Sequence, residues 1–300
     1  MGYSPQMAVP APFPQRINVE VTNHCNQRCP LCPRQAFTRP TGFMDPAIFE
    51  RIARECAAHP VRLWLHFLGE PLLHRGLVGM IRAAKQAGVH EVGLSTNAVS
   101  LRGALADALL DSGLDRLECS MDADDAEAYL AMRGRDHFER VRDNVVGFLA
   151  AKRARGATRP VTSIQFMRTA AVVADLDRLV ARWRPWLGPD DFVMTIEPAS
   201  FAGAIPVATA PNGARRPCAW LFSSLMILQD GTVTMCGADW DAHAPLGNAV
   251  TSSLAAIWDG VELARRRQAH LDGRFDAVDV CGGCNDWRLA DGQGYANALR

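Results

Sequence analysis

Lysine is nearly missing from this chain: of its 32 basic residues, only Lys85 and Lys152 are lysines. Both fall in stretches that read as surface helix, which argues against a Schiff-base lysine. No G-x-x-x-x-G-K-[ST] segment occurs, so a P-loop nucleotide site is excluded. No run of eighteen apolar residues occurs either, and no segment reads as a membrane span. The start, Met1-Gly2-Tyr3-Ser4-Pro5-Gln6, lacks the charged and apolar regions of a signal peptide. The expected location is therefore cytoplasmic. Net charge is absent too, with 32 acidic residues balancing 32 basic ones. Without a positive field to draw in phosphate backbones, nucleic acid is not the expected partner.

What remains can fold. The chain has 300 residues, 48% hydrophobic and 21% charged, enough to bury a sizeable core. Nine cysteines stand at 25, 29, 32, 56, 119, 218, 236, 281 and 284. Clustered cysteines in a cytosolic chain hold metal or perform chemistry more often than they form disulfides. Seven of these nine fall in two clusters.

Residues 1–15 carry four prolines and read as an extended arm. Strands and helices then alternate. Strands are expected at 17–22, 62–67, 90–95, 116–121, 161–168 and 192–197. Asp45-Pro46 marks a helix start, N-cap followed by proline at N1. Six β-α units in a row imply an α/β fold with a parallel sheet, open or curled toward a barrel. A full eight-unit barrel needs more chain. A hairpin follows, 225–228 and 232–235 around Asp230-Gly231. The boundary is expected near 204–216, where Pro206, Pro211 and Gly213 punctuate the chain. This divides it into an arm (1–15), a core (16–205) and a C-terminal extension (206–300).

Directly after the first strand comes Cys25-Asn-Gln-Arg-Cys29-Pro-Leu-Cys32, spaced C-x3-C-x2-C. Three thiolates cannot saturate a four-iron cube, so one iron would stay open for chemistry. Spacing alone leaves another reading, a zinc site completed by His24 or a distant residue. Cys218, Cys236, Cys281 and Cys284 form the second set, with one C-x2-C pair. Four thiolates can fully coordinate one centre, a zinc ribbon or an iron–sulfur cluster.

The first motif resembles that of the radical S-adenosylmethionine (SAM) superfamily, and the likeness runs past the cysteines. Gly69-Glu70-Pro71 is similar to the family segment that meets the SAM amino group. Ser95-Thr96-Asn97 and Ser120-Met-Asp122 match its ribose and carboxylate contacts, and Arg133-Gly134 stands where members place an arginine near the carboxylate. All follow consecutive strands at their C-terminal ends, where β/α barrels gather active sites. Leu68 replaces the first of the family's usual two glycines, and Leu31 stands where an aromatic residue is common beside the adenine. The second set, C-x12-G-x4-C before a distant C-x2-C, resembles the SPASM/twitch extension. With no cysteine after Cys284, one auxiliary cluster is expected. The resemblance implies a partial (β/α)6 radical SAM barrel with two [4Fe–4S] clusters, SAM as cofactor, and an electron donor such as flavodoxin or ferredoxin.

It also implies a 5′-deoxyadenosyl radical that takes hydrogen from a substrate carbon, the protein positioning the reactants. Cys56 lies on a buried helical stripe, and Cys119 alternates with Ser120 so as to face the outer helices. With neither thiol placed to return hydrogen, oxidation of a secondary alcohol by the auxiliary cluster is the leading expectation. Epimerisation, decarboxylation or peptide modification by a radical SAM enzyme stands against it. So does a non-catalytic metal protein. The residues before the first strand are too few for a folded leader-binding domain. Glu20, His66, Gln165, Arg168 and Glu197 come from strand segments aimed at one mouth. His66 and Arg168, with Glu197, are the candidates nearest substrate.

Overall fold

Ile17, Val19 and Val21 are fully buried among the apolar side chains of the outer helices. Arg16, Asn18 and Glu20 alternate with them and face the other side of the sheet. This two-sided pattern sets the architecture. The computed structural model describes residues 9–207, 214–290 and the backbone of 295–299. The first eight residues of the arm, and Pro211 and Gly213 of the expected boundary, lie outside the described residues.

Six strands pair in parallel in chain order: β1 (Arg16–Val19), β2 (Arg62–Trp64), β3 (Glu91–Thr96), β4 (Arg116–Ser120), β5 (Val161–Met167) and β6 (Phe192–Ile196). Between them run α1 (Pro46–Ala57), α2 (Leu77–Ala87), α3 (Gly103–Leu110), α4 (Ala126–Arg133), α5 (Phe138–Ala154), α6 (Ala170–Ala174) and α7 (Leu176–Trp183). Asp45 caps α1 as its sequence predicts, accepting from the Ala47 amide at 2.8 Å. Phe49, Ile52, Ala53 and Cys56 form the buried stripe of that helix. The C-terminal ends of β2 to β5 converge on one cavity, so the sheet is curled into a partial barrel.

Three features differ from the sequence expectation. First, β1 stops at Val19 rather than residue 22, because the following polar side chains bond to the 38–42 loop. Thr22 Oγ1 donates to Gly42 O at 2.7 Å, and Asn23 Oδ1 accepts from the Gly42 amide at 2.8 Å. Second, β6 has a further strand on its outer side. This strand, β10 (Tyr295–Leu299), lies antiparallel beside it. Third, the hairpin of the extension is not separate from the core. It begins after α8 (Trp220–Ser223) and comprises β7 (Ser224–Ile227) and β8 (Thr232–Thr234), with β9 (Gly247–Asn248) added. β7 pairs in parallel with β1, from Arg16↔Ser224 to Val19↔Ile227. An unpaired β1 edge would expose a row of backbone donors and acceptors, and β7 covers it. One ten-stranded sheet results, and α9 (Leu254–Trp258) and α10 (Val261–Leu271) complete the extension.

Inside the curl, Trp64 lies against β3 at Gly93. A Cβ there would meet the indole at 2.7 Å, so only glycine admits the ring.

Candidate active site

Cys25, Cys29 and Cys32 sit on the loop after β1 and line an open cavity of about 800 Å³. Close backbone contacts hold the loop. A Cβ on Gly69 would fall 1.9 Å from Thr22 O, so the β2 end presses directly on the chain leading into the cysteines. Gly69→Ala is expected to destabilise the fold by about 3 kcal/mol and to loosen the loop, which denaturant unfolding checks.

Glu70 is fully engaged. Its carboxylate accepts from Thr96 Oγ1 at 2.6 Å, from the Asn97 amide at 2.7 Å and from the Leu72 amide at 3.0 Å. Burial lifts its carboxyl above the ordinary range against the pull of these bonds. Asn97 in turn donates to Asn26 Oδ1 at 2.7 Å, with Cys25 Sγ at 3.8 Å. Glu70 thus ties the β2 end, the β3 end and the cysteine loop together.

On the opposite wall, Asp122 holds φ +60°, a conformation few non-glycine residues adopt. It accepts from the Met167 amide at 2.8 Å and pairs with Arg133 at 2.7 Å. Arg133 closes α4 and lies 3.8 Å from Cys29 Sγ. Gly134 behind it has φ +68°, and a Cβ there would meet Arg28 O at 2.3 Å. The helix end therefore clamps the cysteine loop, aided by Arg28 N–H donating to Arg133 O at 3.1 Å. Arg133 Nε is buried without a partner, an orphaned donor on the wall where a bound carboxylate would satisfy it.

Leu31, Gly69, Glu70, Ser95, Asn97, Ser120, Asp122 and Arg133 all line this cavity, as does His66. Pro71 does not; it opens the short 3₁₀ turn Pro71–Leu73, capped by Glu70. Arg168 and Glu197 are not among the lining residues. They pair with each other at 3.2 Å and are partly exposed. Glu20 is no mouth-facing base: it is buried in a two-point ion pair with Arg39 at 2.6 and 2.7 Å. Gln165 bonds Ser120 Oγ at 3.4 Å. Sequence reasoning missed Phe67, Met132, Met167 and Phe201, which supply apolar wall. Phe201 sits at φ +50° in a loop held by Asp286, which accepts from the Ser200 amide at 2.6 Å and the Ala202 amide. A local pattern carries no signal for such a contact, because Asp286 is 86 residues away.

The second thiol set lies in the interior. Cys218, Cys236, Cys281 and Cys284 are all buried. Burial pushes the Cys236 thiol well up, and the other three thiols beside it add to the rise. Cys281 is raised to about 12 by burial and then by Cys284. Thiols so placed ionise only when a bound cation supplies the opposing charge. Arg215 crosses their loop, donating to Gly282 O at 2.6 Å and to Cys281 O, and stacks on Phe275 at 4.3 Å. Among the described residues, no three His, Cys, Asp or Glu side chains stand close enough to share one metal ion.

A further cavity of about 570 Å³ runs from Arg16, Asn18 and His66 to Cys236 and Gly237. His66 therefore lines both cavities. Its Nδ1 is buried without a partner, and burial, with Arg16 nearby, lowers its pKa to about 3. The imidazole is neutral at physiological pH.

This combination of a curled parallel sheet, a three-cysteine loop at its mouth and a buried four-cysteine set behind it defines a class, an iron–sulfur α/β barrel protein. The radical SAM superfamily model matches residues 19–155, and the model of an iron–sulfur cluster-binding domain, SPASM, matches residues 218–285. The chain thus carries a radical SAM domain followed by a C-terminal SPASM domain. Among curated proteins it is similar to the GTP 3′,8-cyclase of Chlorobaculum tepidum, 34% identical over 42% of this chain and 38% of that one. A probable GTP 3′,8-cyclase of Methanopyrus kandleri is 34% identical over 55% of this chain and 51% of that one. The matches thus span about half the length of these relatives or less. Among solved structures, BtrN in complex with AdoMet and 2-DOIA superimposes with TM-score 0.64 at 19% identity, covering 96% of this chain and 99% of that one. Streptococcus suis SuiB bound to precursor peptide SuiA gives TM-score 0.70 at 14% identity, covering 86% and 67%. At these identities the likeness is one of fold. Among the described residues, no helix is long and apolar enough to cross a membrane.

Proposed function

We propose that this chain is a radical SAM dehydrogenase that oxidises a secondary alcohol of a small polyol or aminocyclitol. The assignment comprises a core of 16–205 and a SPASM-type extension of 206–300. In this reading, Cys25, Cys29 and Cys32 hold a SAM-binding [4Fe–4S] cluster, and Cys218, Cys236, Cys281 and Cys284 hold one auxiliary cluster. Leu31, Ser95, Asn97, Ser120 and Asp122 surround SAM, the Gly69-Glu70-Pro71 segment faces its amino group, and Arg133 Nε meets its carboxylate. When bound, the first cluster and SAM supply a 5′-deoxyadenosyl radical.

The observation that carries the reading is the shared wall at His66, where the SAM-side cavity meets the cavity that reaches Cys236. A substrate held there stands between the hydrogen-abstracting side and an electron acceptor. His66, neutral, offers a hydrogen bond to a hydroxyl group without contributing charge. Arg168 and Glu197, neutralising each other at the rim, would serve as gate rather than base. Cys56 and Cys119 are 0% and 1% exposed in the apolar layer, so neither can hand hydrogen back for epimerisation. A ferredoxin- or flavodoxin-type donor would supply the priming electron.

The test begins with iron, sulfide and zinc content after anaerobic reconstitution. About eight irons in wild type and about four in the Cys25/Cys29/Cys32→Ala variant are expected. Zinc in place of the second set of irons would remove the electron acceptor and sink the oxidation reading. A panel of deuterated 2-DOIA and other polyols, GTP and peptides then follows. Deuterium in 5′-deoxyadenosine together with a ketone product is expected from a polyol alone.

A further inference from the structure

Glu118 belongs to neither thiol set nor to any of the motifs, yet its position is unusual. It lies on β4 between Leu117 and Cys119, which are 0% and 1% exposed in the apolar layer outside the sheet. By alternation, Glu118 points into the barrel. Its register partners are Ser95 on β3 and Ser163 on β5, and Ser120 stands two residues above it. Ser95 and Ser120 both line the SAM-side cavity, so Glu118 sits one step beneath that cavity's floor.

The carboxylate is half-buried, with no hydrogen bond contributing to its balance of charge. The charged groups facing it are Arg16 on β1, Arg116 on its own strand and Glu91 on β3. Arg116 is already committed to Glu91 at 2.9 Å. Arg16 bonds Asn18 at 3.0 Å and lies over the Trp64 ring at 4.9 Å. From β2 the lumen receives Trp64 and neutral His66, and from β5 uncharged Ser163 and Gln165. Burial raises the Glu118 pKa to about 7, the two arginines opposing the rise. A carboxylate with this affinity accepts and releases a proton near neutrality. Below it, the Arg116 side chain is 39% and that of Glu91 18% exposed, so these two groups reach water at that end.

We propose that Glu118 is the terminal acceptor of the substrate's hydroxyl proton and that the lower barrel is the proton's way out. The inference rests on the dehydrogenase reading. Oxidation of a carbinol to a ketone removes a hydrogen atom from carbon, one electron and the hydroxyl proton. With SAM and both clusters bound, the hydrogen atom would be taken on the SAM side and the electron by the cluster that Cys218, Cys236, Cys281 and Cys284 would hold. The proton goes to Glu118 and thence to solvent past Arg116 and Glu91.

Two measurements on the reconstituted holoenzyme and its Glu118→Gln variant test this. Infrared difference spectra across a pH series, with carbon-13 glutamate, report carboxyl titration without turnover. A carboxyl titrating at about 7 is expected in wild type and absent in Glu118→Gln; its persistence in the variant overturns the assignment. Single turnover with deuterated 2-DOIA then separates abstraction from oxidation. Deuterated 5′-deoxyadenosine should form within about 3-fold of the wild-type rate, while ketone falls about 100-fold and loses its dependence on pH near neutrality. Equal loss of both products, or loss of neither, overturns the role. Absence of ketone from wild type itself would instead overturn the dehydrogenase reading, a result the infrared series distinguishes from failure of Glu118 alone.

Discussion

Arg39→Met is expected to destabilise the fold by about 3–5 kcal/mol, the range for removing one partner of a buried ion pair. Glu20 is 0% exposed and Arg39 8% at the side chain, so water cannot replace the lost cation. Arg39 also donates to Gln229 Oε1 and to Trp240 O, each at 2.9 Å, and lies over the Phe37 ring at 4.1 Å. Its neighbour Thr38 bonds Asp241 through its amide at 3.0 Å. The guanidinium thus joins β1 of the core to the loop after the SPASM hairpin. The sign of the pH dependence follows from Glu20, whose pKa burial raises. A raised carboxyl contributes stability fully below its unfolded pKa and loses it as pH climbs through the folded value. Without Arg39 the folded value rises further, so the penalty should shrink at acid pH and grow toward neutrality. Urea unfolding at two pH values checks this. Glu20→Gln/Arg39→Met should recover part of the loss, and equal penalties in the single and double variants would refute the buried-pair account.

The strands, the α1 cap and both cysteine sets were legible because each is written locally, in alternation, an N-cap or a spacing. Glu20 shows where local reading stops. Its alternation correctly turned it away from the apolar layer, but its partner lies nineteen residues on, in a loop without periodicity. Arg168 and Glu197 fail similarly: each end of strand was right, yet pairing across strands decides whether a charge is available. The placement of β7 against β1 had no signal in either segment, since edge-covering is a property of the whole sheet. Phe201 and Asp286 likewise meet only in three dimensions. Glu118 was passed over because strand polarity alone does not say whether a carboxylate is paired.

Glu70→Ala should weaken SAM binding by at least about 100-fold, by releasing the β3 end as well as by removing a side chain that faces the SAM amino group. A hydrogen bond to a charged group is worth about 1.5–3 kcal/mol, and Glu70 accepts two from Thr96 and Asn97. Their loss frees the Ser95–Asn97 segment and, through Asn97 and Asn26, slackens the loop carrying Cys25. The variant should therefore lose iron from the first set as well as SAM affinity, as measured by iron content and equilibrium dialysis. Thr96→Ala removes one of the same bonds and leaves the Glu70 carboxylate in place, so it should produce a smaller loss of both. A carboxylate whose sole role was to meet SAM would behave otherwise: Glu70→Ala would keep its irons and lose only affinity, and Thr96→Ala would be nearly silent. The two patterns differ in the iron count, which does not depend on SAM being present. Retention of both cluster and affinity in Glu70→Ala would show that the three bonds hold nothing the site needs.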